Sequence, residues 1–196
     1  MIEPKRVQAF FDGLAPQWDA TTERNDAIIE RILDAAGVRA GADVLDVACG
    51  TGVLIPDYLG RGVASVTAVD LSPKMIEIAA EKFAGEPNVA VLCADARTAR
   101  FDRLFDCIVI YNAFPHFAQP DALIAALSDA LKPRGRLTVA HDRSREAINA
   151  HHAGMPDMLA SDLMPADALA AIFSRTLSVR AAVSDERMYL VVGTKE

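Results

Sequence analysis

The sequence predicts an α/β fold, a mostly parallel sheet with helices on both faces. Three observations carry that expectation. From Asp43 onward, short apolar runs rich in Val, Ile and Leu alternate with segments of helical periodicity, as in successive βαβ units. The last two apolar runs are separated only by the polar turn 184–187, so they form an antiparallel pair at one edge. The 196 residues, 52% hydrophobic, contain no linker or repeat, so residues 1–196 read as one domain with a full-sized core.

The elements follow in order. Val7, Phe10, Phe11 and Leu14 recur at helical spacing before the break at "APQWD". Ile28, Ile29, Ile32 and Leu33 form the apolar face of a second helix, and Gly37 suits its C-terminal stop, so residues 1–38 are an N-terminal helical lid. "DVLDVA" is a strand, with a helix after Gly52. "ASVTAVD" is the next strand, and "SPKMIEIAAEKFA" is a helix with Ser72 as N-cap and Pro73 at its first position. "NVAVLCAD" and "FDCIVIY" are the third and fourth strands. "DALIAALSDALK" is an amphipathic helix ending at "PRG", and "RLTVAH" is the fifth strand. "SREAINAHH" and "ADALAAIFSR" are helices, and residues 178–195 supply the edge pair.

Bulk composition narrows the function. A formal net charge of −7 argues against a long phosphate-tracking surface, so no nucleic-acid partner is expected. No apolar run has the roughly 20 residues of a membrane helix, and the N-terminus lacks a signal-peptide core, so a cytoplasmic location is expected. Cys49, Cys93 and Cys107 are widely spaced, without a CxxC pair, and read as small hydrophobes.

Ligands of such sheets bind beyond the carboxyl ends of the strands. Those ends carry Asp46 to Gly52, Asp70, Asp95 with Ala96, Tyr111 to His116, and His141 with Asp142. Gly50 and Gly52 allow close approach of a ligand. The third position of a dinucleotide fingerprint is Ile55, and a Walker GK[ST] is absent. Asp46 would repel a pyrophosphate but suits a cationic amine. Asp70 suits ribose hydroxyls, and Asp95 an exocyclic amine. An amine, a ribose and an adenine without phosphates describe S-adenosylmethionine.

The stretches "VLDVACGTG", "VTAVDLSPKMIEIA", "VLCADA", "FDCIVIYNAFPHF" and "LKPRGRLTVAH" together resemble a class I S-adenosylmethionine-dependent methyltransferase over about residues 40–141. "LKPRG" departs from the usual "LKPGG". The "FFDGLAPQWD" opening is similar to small-molecule methyltransferases akin to those acting on quinones. The resemblance implies a Rossmann-like seven-stranded sheet of order 3-2-1-4-5-7-6 and a small-molecule acceptor, in a monomer or homodimer. It also implies that Asp46, Cys49, Gly50 and Gly52 surround the methionine portion of the cofactor. Asp70 would hold the ribose, with Leu71 and Met75 packing nearby, although Met75 also suits the core. Asp95 and the Ala96 backbone would meet adenine. Tyr111 and Asn112 would line the methyl-donor face, and Trp18 would cover the cofactor.

All four histidines lie in the C-terminal half. An imidazole near neutral pKa suits a general base, and the order of candidates is His141, His116, His151. Converging imidazoles with Asp142 also suit a metal, whereas His151 and His152 equally suit a solvated helix end. Residues 142–165, polar and rich in Met, are expected to form the substrate-side excursion. Their "HDRSREAINAHH" resembles stretches of bacterial and archaeal methyltransferases.

Overall fold

A computed structural model describes residues 2–196. Its strands are β1 (Asp43–Val47), β2 (Ser65–Asp70), β3 (Val89–Cys93), β4 (Phe105–Tyr111), β5 (Leu131–His141), β6 (Ser178–Ser184) and β7 (Tyr189–Thr194). They form one sheet in the order β3-β2-β1-β4-β5-β7-β6. Strands β3, β2, β1, β4 and β5 are mutually parallel, and β7 runs antiparallel to both β5 and β6. The sheet is the one expected.

The helices are α1 (Pro4–Leu14), α2 (Trp18–Thr21), α3 (Asp26–Ala36), α4 (Ile55–Gly60), α5 (Pro73–Lys82), α6 (Pro120–Asp129), α7 (Arg145–His152) and α8 (Ala166–Phe173). Alternation along the strands gives each sheet face its own partners. Leu45, Val47, Ile108, Ile110, Leu137 and Val139 meet Leu123, Leu127, Leu169 and Phe173 of α6 and α8. Val44, Val66, Cys107 and Val109 meet Ile29, Leu33, Ile55 and Tyr58 of α3 and α4. Caps stop the helices where the residue types predict. The Asn25 side chain accepts from Ile28 N–H, the Ser72 hydroxyl from Met75 N–H, and Gly37 closes α3 in the left-handed region.

Two local expectations change. The break at "APQWD" is a 3-10 turn over Ala15–Gln17, and the chain then makes one more helical turn, α2. Helix α6 ends at Asp129, and β5 already begins at Leu131, taking in residues read as helix end and turn. Leu131 is fully buried, and Phe105 N–H donates to Ala130 O, so pairing with β4 outcompetes a further helical turn. A register shift between Phe105 and Cys107 absorbs the irregular start.

Candidate active site

A cavity of about 440 Å³ opens beyond the carboxyl ends of the parallel strands, within the size range of small-molecule sites. Its floor is the loop from β1 to α4, its roof α1 and α2, and its far side α7. Asp46, the penultimate residue of β1, is almost wholly buried, and its Oδ2 has no hydrogen-bond partner. Burial pushes its carboxyl up to about 7, and the neighbouring Asp70 adds to the rise. Two residues on, Ala48 turns the chain at φ +57°, a conformation that sterically disfavours any side chain.

The two glycines of this loop have different reasons to be glycine. Gly50, at φ +56°, forms cavity wall, and a Cβ there would lie 3.4 Å from the indole nitrogen of Trp18. Trp18 therefore lies over the loop, with its Nε1 buried and unpartnered. Gly52 is not on the wall. At φ +85°, its Cβ would lie 2.5 Å from the Phe83 ring and 2.9 Å from Ile55 Cδ1, so it makes room for core packing. Of the two glycines expected to allow close ligand approach, Gly50 is the one that forms cavity wall.

Asp70 Oδ2 accepts from Gly50 N–H at 2.9 Å, and Oδ1 accepts from Ser72 N–H at 2.8 Å. Burial raises its pKa, and these backbone donors oppose the rise. Leu71, Asp95 and Ala96 line the cavity beside it. Met75 also reaches the wall but is 1% exposed, so it belongs to core and cavity alike. The Asp95 carboxylate is gripped by Arg97, with Nη2 2.6 Å from Oδ2 and Nε 3.0 Å from Oδ1, and this hydrogen bonding holds its pKa below the usual carboxylate range. Arg97 was not read from the sequence as a site residue. Its position two residues after a strand-end acid was the available signal.

The far half of the cavity is organised around Asp142, which 7% exposure makes an almost buried acid. Tyr111 Oη donates to its Oδ2 at 2.8 Å, and Asn112 Nδ2 to its Oδ1 at 2.9 Å. Asp142 N–H donates back to Asn112 Oδ1 at 3.1 Å, and Asn112 sits at φ +52°. Burial beside Asp142 pushes the Tyr111 hydroxyl far up.

All four histidines reach this half. His116 Nδ1 donates to Leu159 O at 2.8 Å, which leaves Nε2 as the lone-pair nitrogen. His141 is 1% exposed, and neither ring nitrogen has a partner. Burial, then the nearby His152 and His116, lowers its pKa to about 3. His152 is likewise pushed down to about 4 by burial, with Nδ1 unpartnered. His151 is exposed at the rim. The ring centroids of His116 and His152 are 5.1 Å apart, and Phe11 stands edge-on to His116 at 5.0 Å. Among the described residues, no three His, Cys, Asp or Glu side chains are grouped so as to hold a metal ion.

Residues 44–135 match the family model described as "Methyltransferase domain". The chain is 32% identical over 140 residues to a malonyl-[acyl-carrier protein] O-methyltransferase of Acetivibrio thermocellus, covering 70% of this chain and 49% of that protein. It is 32% identical over 146 residues to a demethylmenaquinone methyltransferase of Renibacterium salmoninarum, covering 70% and 59%. It belongs to the class I S-adenosylmethionine-dependent methyltransferases. The chain thus spans about half to three fifths of the length of these curated relatives. A Haloferax volcanii methyltransferase solved in complex with the Trm112 methyltransferase activator shares the fold, with a TM-score of 0.81 at 19% identity over 96% of this chain and 97% of that one.

In this class I methyltransferase chain, the donor set suits the family's cofactor. Asp46 offers an unpartnered carboxylate oxygen, Asp70 an acid fixed by backbone donors, and Trp18 a roof over Gly50. Among the described residues, no helix is long and apolar enough to cross a membrane.

Proposed function

We propose that this chain transfers a methyl group from S-adenosylmethionine to a small-molecule acceptor. The observation that carries the reading is the convergence of Asp46, Asp70 and Asp95, from three successive strand ends, on one cavity. Asp46 Oδ2 accepts the ammonium of the methionine portion, with Cys49 and Gly50 beside it. Asp70 holds the ribose hydroxyls, Leu71 and Met75 pack on adenine, and Asp95 with the Ala96 backbone reads the adenine edge. When bound, S-adenosylmethionine supplies an electrophilic methyl on a sulfonium.

The protein's remaining task is alignment, bringing the nucleophile to about 3–3.5 Å from that methyl. Tyr111 and Asn112, locked by Asp142, form the donor-facing wall. His116 is the proposed proton acceptor, because Leu159 O fixes its tautomer with Nε2 bare. His141 is buried with a pKa of about 3, which makes it a weaker base than its position after β5 suggested. His151, exposed at the rim, faces the acceptor's entrance. The test is release of S-adenosylhomocysteine across a panel of small-molecule acceptors. Turnover that Asp70→Ala abolishes is the expected result. Cofactor binding without turnover across the panel supports a non-catalytic cofactor-binding protein.

A further inference from the structure

The acceptor half of the cavity has an unusual polar inventory. The cavity as a whole is lined by two guanidiniums, one on the adenine side and one on the acceptor side, and both are already paired. Arg97 is held by Asp95, and Arg143 Nη2 lies 2.7 Å from Glu23 Oε2. Among the described residues, no lysine lines the cavity. The nearest acid, Asp142, has one oxygen engaged by Tyr111 and the other by Asn112. Among the described residues an anionic acceptor would meet no unpaired cation, and it would meet the field of Asp46, Asp70 and Asp142. An ammonium would have to share or displace existing bonds, because among the described residues the carboxylates on this side, Asp142 and Glu23, already have partners.

Hydrogen-bonding capacity left without a partner is concentrated on neutral imidazoles. His141 has both nitrogens unpartnered, His152 has Nδ1 unpartnered, and His116 has a bare Nε2. Buried polar atoms of this kind call for a partner, and an uncharged donor–acceptor group such as a hydroxyl supplies one. The surrounding wall is rich in aromatic rings. Phe11 stands edge-on both to His116 at 5.0 Å and to Trp18 at 5.7 Å, and Phe10 and Phe117 complete the wall. Edge-to-face walls suit a planar ring.

We infer that the acceptor is an uncharged aromatic hydroxyl compound, whose ring lies among Phe11, Phe117 and His152 and whose hydroxyl is bound by the His116–His141–His152 cluster. The inference rests on the methyl-transfer reading of the cavity. The hydroxyl oxygen forms the new bond to the methyl carbon as the carbon–sulfur bond breaks. The electron pair stays on sulfur, and the hydroxyl proton passes to His116 Nε2.

The experiment has two stages. Calorimetry with S-adenosylhomocysteine comes first, and failure there overturns the cofactor reading rather than the acceptor class. The loaded protein is then titrated with three probes of one shape: 2-naphthol, 2-naphthoate and 2-naphthylmethylammonium. Naphthol is expected to bind at least about tenfold more tightly than either ion. His116→Gln and His152→Phe are each expected to weaken naphthol about tenfold, with unchanged S-adenosylhomocysteine affinity reporting an intact fold. Equal or tighter binding of either ion overturns the inference. So does naphthol binding indifferent to both variants, or a stoichiometric zinc ion retained by the three histidines.

Discussion

Gly50 N–H donates to Asp70 Oδ2 at 2.9 Å, so the loop after β1 and the end of β2 are held as one unit. The acid assigned to the ribose also shapes the floor under the methionine portion. Asp70→Ala removes both functions. Two hydrogen bonds to a charged acceptor are worth about 1.5–3 kcal/mol each, so cofactor affinity should fall at least ~100-fold by calorimetry. The melting temperature should fall as well, because Gly50 and Ser72 lose their acceptor. Affinity within about threefold of the parent chain would refute the assignment.

Asp46 makes the free protein's stability depend on pH. Its carboxyl is raised from 3.8 to about 7, so the folded chain holds a proton that the unfolded chain releases between those values. The contribution of this group to stability is therefore largest below about pH 4 and is lost as pH rises through 7, by about 4 kcal/mol. Asp46→Asn should flatten that part of the denaturation-versus-pH curve. A cationic amine beside Asp46 reverses the shift. Cofactor binding near pH 6.5 should thus release a proton, measured as a buffer-dependent calorimetric heat that Asp46→Asn abolishes.

Gly52 and Phe83 should behave as a coupled pair. Gly52→Ala adds a Cβ 2.5 Å from the ring at a φ of +85°, for a cost of about 2–4 kcal/mol in denaturant melts. Phe83→Ala in the same chain should recover part of that loss, with a coupling energy of about 1–3 kcal/mol. Cofactor affinity of the folded variants should stay near the parent value, because Gly52 lies off the cavity wall. Simple additivity of the two changes would contradict the packing explanation.

Trp18 is the chain's single tryptophan, and it lies over Gly50. Its emission should change on cofactor titration and report the affinity directly. Trp18→Ala should weaken binding by roughly tenfold, the scale of one buried aromatic contact. Emission blind to saturating cofactor would remove Trp18 from the roof.

The element order and the strand-end acids were legible because both rest on local pattern. Alternation of period 2 and 3.6, the Ser72 cap and the Gly37 stop need only neighbours along the chain. The start of β5 was not legible, because Leu131 reads equally well as the end of an amphipathic helix. Only pairing with β4 decides it. Asp46, Asp70 and Asp95 were readable by position, but the grip of Arg97 on Asp95 was not. The packing reason for glycine at position 52 is not legible locally, because its neighbour Phe83 is 31 residues away. The histidines were expected near the acceptor, and all four reach the cavity. Their unequal burial, which is the ground for proposing His116 rather than His141 as proton acceptor, depends on how α7 folds back.

Ser72 acts at two levels. Its hydroxyl oxygen accepts from Met75 N–H at 3.2 Å to cap α5, and the same hydroxyl donates to Asp12 Oδ1 of α1 at 2.5 Å. A second latch joins Thr51 to Asp19, which also pairs with Lys82. The two latches tie the cavity roof, α1 and α2, to α5 and to the loop after β1. Each latch reaches from the roof to a different part of the body, Ser72 to the start of α5 and Thr51 to the loop after β1, so loss of one leaves the other in place.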